Sequence, residues 1–174
     1  MSNFFKSVIA LLAVSSFLYA DSDSASITVK GYITEVVSVS VSETNGLDNI
    51  DLNSSITDQE IGQISLSSNA KDGFTVSLQT TNDLNFKGNG SARQEARYTL
   101  KYLNITGAEK SIGKSEDGSN IVYTDGSGAV IENIGTQSSV TNVSNRTLKI
   151  NYSDANLLWE PEFSDSITIT VASK

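Results

Sequence analysis

The sequence predicts an all-β chain folded as a single two-sheet β-sandwich of seven to nine strands. Three observations carry that prediction. Apolar residues recur at every second position in short runs, as strands with one buried face require. Gly, Asn, Asp and Ser cluster between the runs, where tight turns need them. No window of ten or more residues carries a 3.6-residue apolar period, and the best helical candidate is the brief "SARQEARY".

The first twenty residues read as an address. Lys6 precedes an apolar stretch at residues 8–14, Phe17 and Leu18 extend it, and Ala20 stands before "DSDS". This is the pattern of a secretory signal peptide cleaved after Ala20, with Leu18 departing from the small-residue rule. The stretch is too short for a spanning helix, which takes about 20 apolar residues. Residues 21–174 are then expected to form one domain with no membrane span. A chain of that length can bury a sizeable core without disulfides.

The strand runs follow in order. "ASITVKGYI" puts Ile27, Val29 and Ile33 in one phase, with Gly31 between them. Val37, Val39 and Val41 continue the same odd-numbered phase past Glu35. A charge on the inward face predicts a bend or a crossing between sheets near Thr34 and Glu35. Ile64/Leu66 and Phe74/Val76/Leu78 follow, separated by "NAKDG", whose Asp-Gly ending is a hairpin signal. Tyr98/Leu100/Tyr102 and Leu148/Ile150/Tyr152 place three tyrosines in phase with aliphatic residues, hence inward. Shorter candidates lie at 120–124 and 129–134. Ile167/Ile169/Val171 end the series. Trp159 is flanked by Leu157, Leu158 and Phe163, so a core position is favoured over an exposed platform for a sugar ring.

Composition limits the chemistry. The chain has no histidine and no cysteine, which excludes Ser-His-Asp and Cys-His catalysis and His- or Cys-ligated zinc. Twenty acidic residues outnumber twelve basic ones, and removing the signal with its Lys6 widens the gap. Such a surface repels phosphate backbones, so nucleic acid is not expected as a partner. The carboxylate pairs Glu160/Glu162, Glu116/Asp117 and Asp58/Glu60 all sit in turn-like stretches where acids are ordinarily solvated. "DLNSSITDQEIG" fails the EF-hand pattern, with Ile56 at the glycine position and Gly62 at the glutamate position. The loops "SEDGSN" and "TDGSG" are the remaining calcium candidates and read as turns. Asn53, in an Asn-Ser-Ser triplet two residues after Asp51, resembles the stricter acceptor of some bacterial glycosylation systems. No catalytic residue, metal ligand or cofactor is expected.

Both ends of the chain resemble a known pattern. "ASITVKGYITEVVSVSV" after a signal peptide is similar to the start of colonisation-factor-type pilins of enteric bacteria. "YSDANLLWEPEFSDSITITVAS" is similar to the ending of those pilins and of spore-coat-protein-U-like secreted domains. Phe163-Ser164-Asp165-Ser166-Ile167-Thr168-Ile169 carries the second half of that ending, whereas Glu160-Pro161-Glu162 replaces its glycine-containing turn. The resemblance covers about a third of the chain. It implies an incomplete immunoglobulin-like sandwich, completed by an N-terminal strand from the next subunit and assembled by a periplasmic chaperone and an usher. Under that reading Ile27, Val29, Gly31 and Ile33 of a donor segment, residues 21–33, are the subunit contacts.

Two readings of the opening segment stand. It is a donor strand for another copy, or the first strand of a self-contained sandwich. Two functions go with them: a non-enzymatic structural subunit of a bacterial surface fimbria or coat, or a monomeric secreted or periplasmic binding module, glycan-binding through loops such as 87–91 and 116–128.

Overall fold

The computed structural model describes residues 28–31, 33–44, 50–153, 158–160 and 162–174. The chain divides into two units, residues 1–33 and 34–174. Among the described residues every strand lies in the second: β1 (Val37–Glu43), β2 (Ile56–Ser68), β3 (Phe74–Thr80), β4 (Asn85–Gly88), β5 (Glu95–Arg97), β6 (Thr99–Leu103), β7 (Glu109–Gly113), β8 (Ile121–Val122), β9 (Ala129–Ile134), β10 (Thr141–Tyr152), β11 (Phe163–Ser164) and β12 (Ile167–Ser173). The all-β expectation holds. Nine strands have four or more residues, and β5, β8 and β11 are shorter. Among the described residues the one helical element is a single 3-10 turn, Ser115–Asp117. The helical candidate "SARQEARY" supplies β5 instead.

One layer is a six-stranded sheet in the order β1-β2-β10-β6-β7-β8. The rest is not one second sheet but two three-stranded ones, β12-β3-β9 and β11-β4-β5. The break has a local cause. Asp83 and Leu84, between β3 and β4, take left-handed φ values of 54° and 62°. Opposite them Asp165 interrupts β11 and β12. Its Oδ1 accepts from Asn82 N at 3.0 Å and Ser166 N at 2.7 Å, and its Oδ2 accepts from the Tyr98 hydroxyl at 2.8 Å. A carboxylate thus takes backbone donors that a continuous ladder would use. Desolvation, then the neighbouring Asp165 charge, pushes the Tyr98 phenol above its ordinary pKa and keeps it a donor.

The inward phases match the sequence pattern. Ile64 and Leu66 of β2, Leu100 and Tyr102 of β6, and Leu148, Ile150 and Tyr152 of β10 are buried with Phe74, Val76 and Leu78 of β3. Long β2 changes phase: register shifts opposite Leu148/Lys149 and Ile150/Tyr152 allow Ile56, Ile61 and Ile64 all to face the core. "NAKDG" differs from expectation. Residues 69–73 do not close a hairpin, because β2 pairs with β1 and β10 whereas β3 pairs with β12 and β9. The turn carries the chain from one sheet to another. Gly73 makes it with φ 98° where a Cβ would strike the Ile134 and Gly135 carbonyls.

Glu132 on β9 is the one charged side chain in the buried core among the described residues. Its Oε1 accepts from Ile105 N at 2.7 Å, with Tyr102, Arg146 and Lys110 around it. Burial raises its pKa. The folded value therefore lies above the unfolded one of about 4.3. The group's stabilising share is full below the unfolded value and is lost as pH rises through the folded one. Glu132→Gln keeps the acceptor for Ile105 and removes the titration. In paired thermal melts from pH 4 to pH 7, the melting temperature of Glu132→Gln should gain on the native chain as pH rises; a difference independent of pH would show that the carboxyl titrates alike in both states.

Candidate subunit interface

Strands at sheet edges expose unpaired backbone groups, and proteins usually blunt them with charge, proline, bulges or brevity. Most edges here are blunted that way. β5, β8 and β11 have two or three residues, and β9 is bulged opposite Val76/Ser77. The edges β1 and β12 are not. Each is seven residues long, VSVSVSE and ITITVAS, with no proline and no charge before Glu43.

These two bare edges lie beside each other on one side of the sandwich. Among the described residues β1 pairs only with β2 and β12 only with β3, and no ladder joins β1 to β12. They run in opposite directions. β1 begins at the end bearing the 69–73 turn, where Val36 bonds Asn69, and β12 finishes there, with Lys174 N on Gly73 O at 3.1 Å. Alternation then decides what the opening shows. Val37 and Val39 of β1, with Ile167, Ile169 and Val171 of β12, are half-buried, and Val41 is 50% exposed. Near the far end a cavity of about 250 Å³ opens between the strands, lined by Val41, Ile61, Leu148, Ile167, Ile169 and Asp165 among others. Gly62 also lines it; a Cβ there would meet the Ser42 carbonyl at 2.8 Å, so glycine lets β1 approach β2.

Of the contact residues expected from sequence, Ile27 lies outside the described residues, as do residues 1–20. Val29 and Ile33 are 88% and 89% exposed, and Gly31 is exposed with open space around it. No strand is assigned before Val37 among the described residues.

Trp159 is a correction. It is 70% exposed, not part of the core, while its neighbour Leu158 packs on the core. The loop at 159–160 is fixed by polar contacts. Gln94 Oε1 accepts from Trp159 N at 2.9 Å and Glu160 N at 3.2 Å, and the Glu160 carboxylate accepts from Arg93 N and Gln94 N, each at 2.8 Å. Gly88 and Gly90 of "KGNGS" leave room for the Glu160 side chain.

The other acidic candidates are similarly committed. Glu162 takes the Asn89 amide. Glu116 and Asp117 both hold Arg97, at 2.8 and 3.1 Å. Asp58 pairs with Lys101 at 2.6 Å, which lowers its pKa, while Glu60 accepts from Gln63. A second cavity, of about 360 Å³ beside Tyr98 and Asn151, includes Arg97, whose Nη2 is held by Glu116 and Asp117. Among the described residues no three acidic side chains gather as a metal site would need. Asn53 is exposed in a turn where its amide donates to Asp51 at 3.1 Å. Tyr98, Tyr102 and Tyr152 are buried as the pattern predicts. Neither a protein-family model nor a curated protein matches the chain.

Proposed function

We propose that the chain is a structural subunit that assembles by strand donation, as a component of a bacterial surface fimbria or coat. The observation that carries this reading is the pair of long edges β1 and β12, free of proline and of charge but for Glu43 at the end of β1, placed together over half-exposed valines and isoleucines while other edges are short or bulged. Strand addition satisfies such an edge through backbone pairing, and alternate side chains fill the groove. Residues 21–33 supply a segment of that chemistry. Ile27, Val29 and Ile33 share one phase, and exposure of the last two leaves them available to a partner. Burying three aliphatic side chains is worth roughly 5–9 kcal/mol gross, part of it offset by ordering the segment. Partners in this reading are other copies or related subunits, with a periplasmic chaperone and an usher to guard the bare edges before assembly. The route is secretion through the signal at residues 1–20.

Sizing residues 21–174 across concentrations tests the reading. Assemblies that grow with concentration support it. A monomer at every concentration overturns it in favour of the secreted binding module, for which exposed Trp159 on its pinned loop is the favouring observation.

A further inference from the structure

A subunit that carries both a bare edge and a matching apolar segment faces an internal competitor. If residues 34–36 formed a three-residue turn, residues 33 to 29 would fold back antiparallel along the free edge of β1. The phase is right for it. Ile33 would oppose Val37, Gly31 would oppose Val39 and Val29 would oppose Val41, all facing the same side. A tethered segment acts at an effective concentration in the millimolar range. At about 1 µM subunit, self-pairing would therefore be favoured roughly a thousandfold over donation between copies.

Two features of this chain oppose the turn. The first is Asn69. Its Oδ1 accepts from Val36 N at 2.6 Å, its Nδ2 donates to Thr34 O at 3.0 Å, and its backbone N donates to Val36 O at 3.1 Å. Thr34 O, Val36 N and Val36 O thus all point to one side, as alternate residues of an extended strand do. Val36 opposite Asn69 continues the β1–β2 register by one pair beyond Val37 and Ser68. The side-chain amide adds a further rung at Thr34. A reversal at 34–36 has to break these bonds. The second is the turn sequence itself. Three-residue hairpin loops place a left-handed residue last, usually glycine. That position is Val36, a β-branched residue for which left-handed φ is strained.

We propose that Asn69, together with Val36, keeps the donor segment from pairing with its own β1 and so reserves the edge for a second copy of this chain. Asn69 acts as a positioning residue for the segment, and the inference rests on the strand-donation reading above.

The test is a comparison of melts at about 1 µM, where association between copies is minor. In residues 21–174 with native Asn69 and Val36, Val29→Asp should leave the melting temperature unchanged, because under this proposal the segment stays unpaired with its own β1. In the Val36→Gly/Asn69→Ala double variant, self-pairing is released. Val29→Asp should then lower the melting temperature by at least about 4 °C, and the double variant should assemble far less at high concentration. A loss on Val29→Asp in the native background overturns the proposal, because the segment would already pair in cis. No loss in the double variant also overturns it, provided a free peptide of residues 24–34 still raises that variant's melting temperature. If the peptide binds no form of the protein, strand donation itself is wrong and the proposal falls with it.

Discussion

Val29→Asp is expected to abolish assembly of residues 21–174 while leaving the subunit folded. Val29 is 88% exposed, so replacing its side chain removes little burial. In the proposed assembly it would be the middle apolar residue of the donated strand, buried against the half-exposed valines and isoleucines of β1 and β12. An unpaired carboxylate there costs several kcal/mol, which weakens each subunit contact at least about a hundredfold. Sizing chromatography should show a monomer at concentrations where the native chain is expected to polymerise, and a thermal melt should show the same transition temperature. A variant that unfolds instead would place Val29 within its own core. Val29→Ile is the complementary control and should assemble at least as well as the native chain.

The second large effect lies at Asp165. Its carboxylate accepts from Asn82 N, Ser166 N and the Tyr98 hydroxyl, and it lines the cavity at the start of β12. Asp165→Ala leaves three donors without their acceptor, one of them on a tyrosine that is 2% exposed. Hydrogen bonds to charged groups are worth about 1.5–3 kcal/mol each, and a buried donor left unpaired adds its desolvation cost. A loss of about 3–5 kcal/mol, or roughly 10 °C in melting temperature, is expected. Asp165→Asn should lose less, since its oxygen still serves the backbone donors and the Tyr98 oxygen can accept from its amide. Equal losses in the two variants would mean that charge, not hydrogen bonding, holds the corner. Because Asp165 anchors the entry to β12, the alanine variant should also assemble poorly when it is folded.

These outcomes depend on features of unequal legibility in the sequence. Strands with several inward apolar residues were readable, because alternation of Phe74, Val76 and Leu78 or of Leu148, Ile150 and Tyr152 is itself the trace of a buried face. β4, β5 and β7 were not readable. They hold place through backbone pairing and offer few inward apolar anchors, chiefly Phe86, Ala96 and Ile112. The split of the second layer was hidden because it depends on left-handed Asp83 and Leu84; aspartate tolerates that conformation, but leucine gives no sign of it in the sequence. Trp159 misled because its apolar neighbours suggested a core run. The backbone grip of Gln94, sixty-five residues away, turns it out instead. The bare character of β1 and β12 is visible in "VSVSVS" and "ITITVAS", but their adjacency is a property of the topology. The Asn69 bonds were equally invisible, because they join residues 33 and 35 positions apart.

The most direct measurement is a melt of residues 34–174 with and without a synthetic peptide of residues 24–34. This fragment contains every assigned strand and the whole described core. It should fold cooperatively, remain monomeric, and melt at a temperature that climbs with peptide concentration, as mass action requires for a ligand of the folded state. The same peptide carrying Val29→Asp should have no effect. A fragment that collapses without residues 21–33, or one whose melting temperature ignores the peptide at millimolar excess, would contradict strand donation.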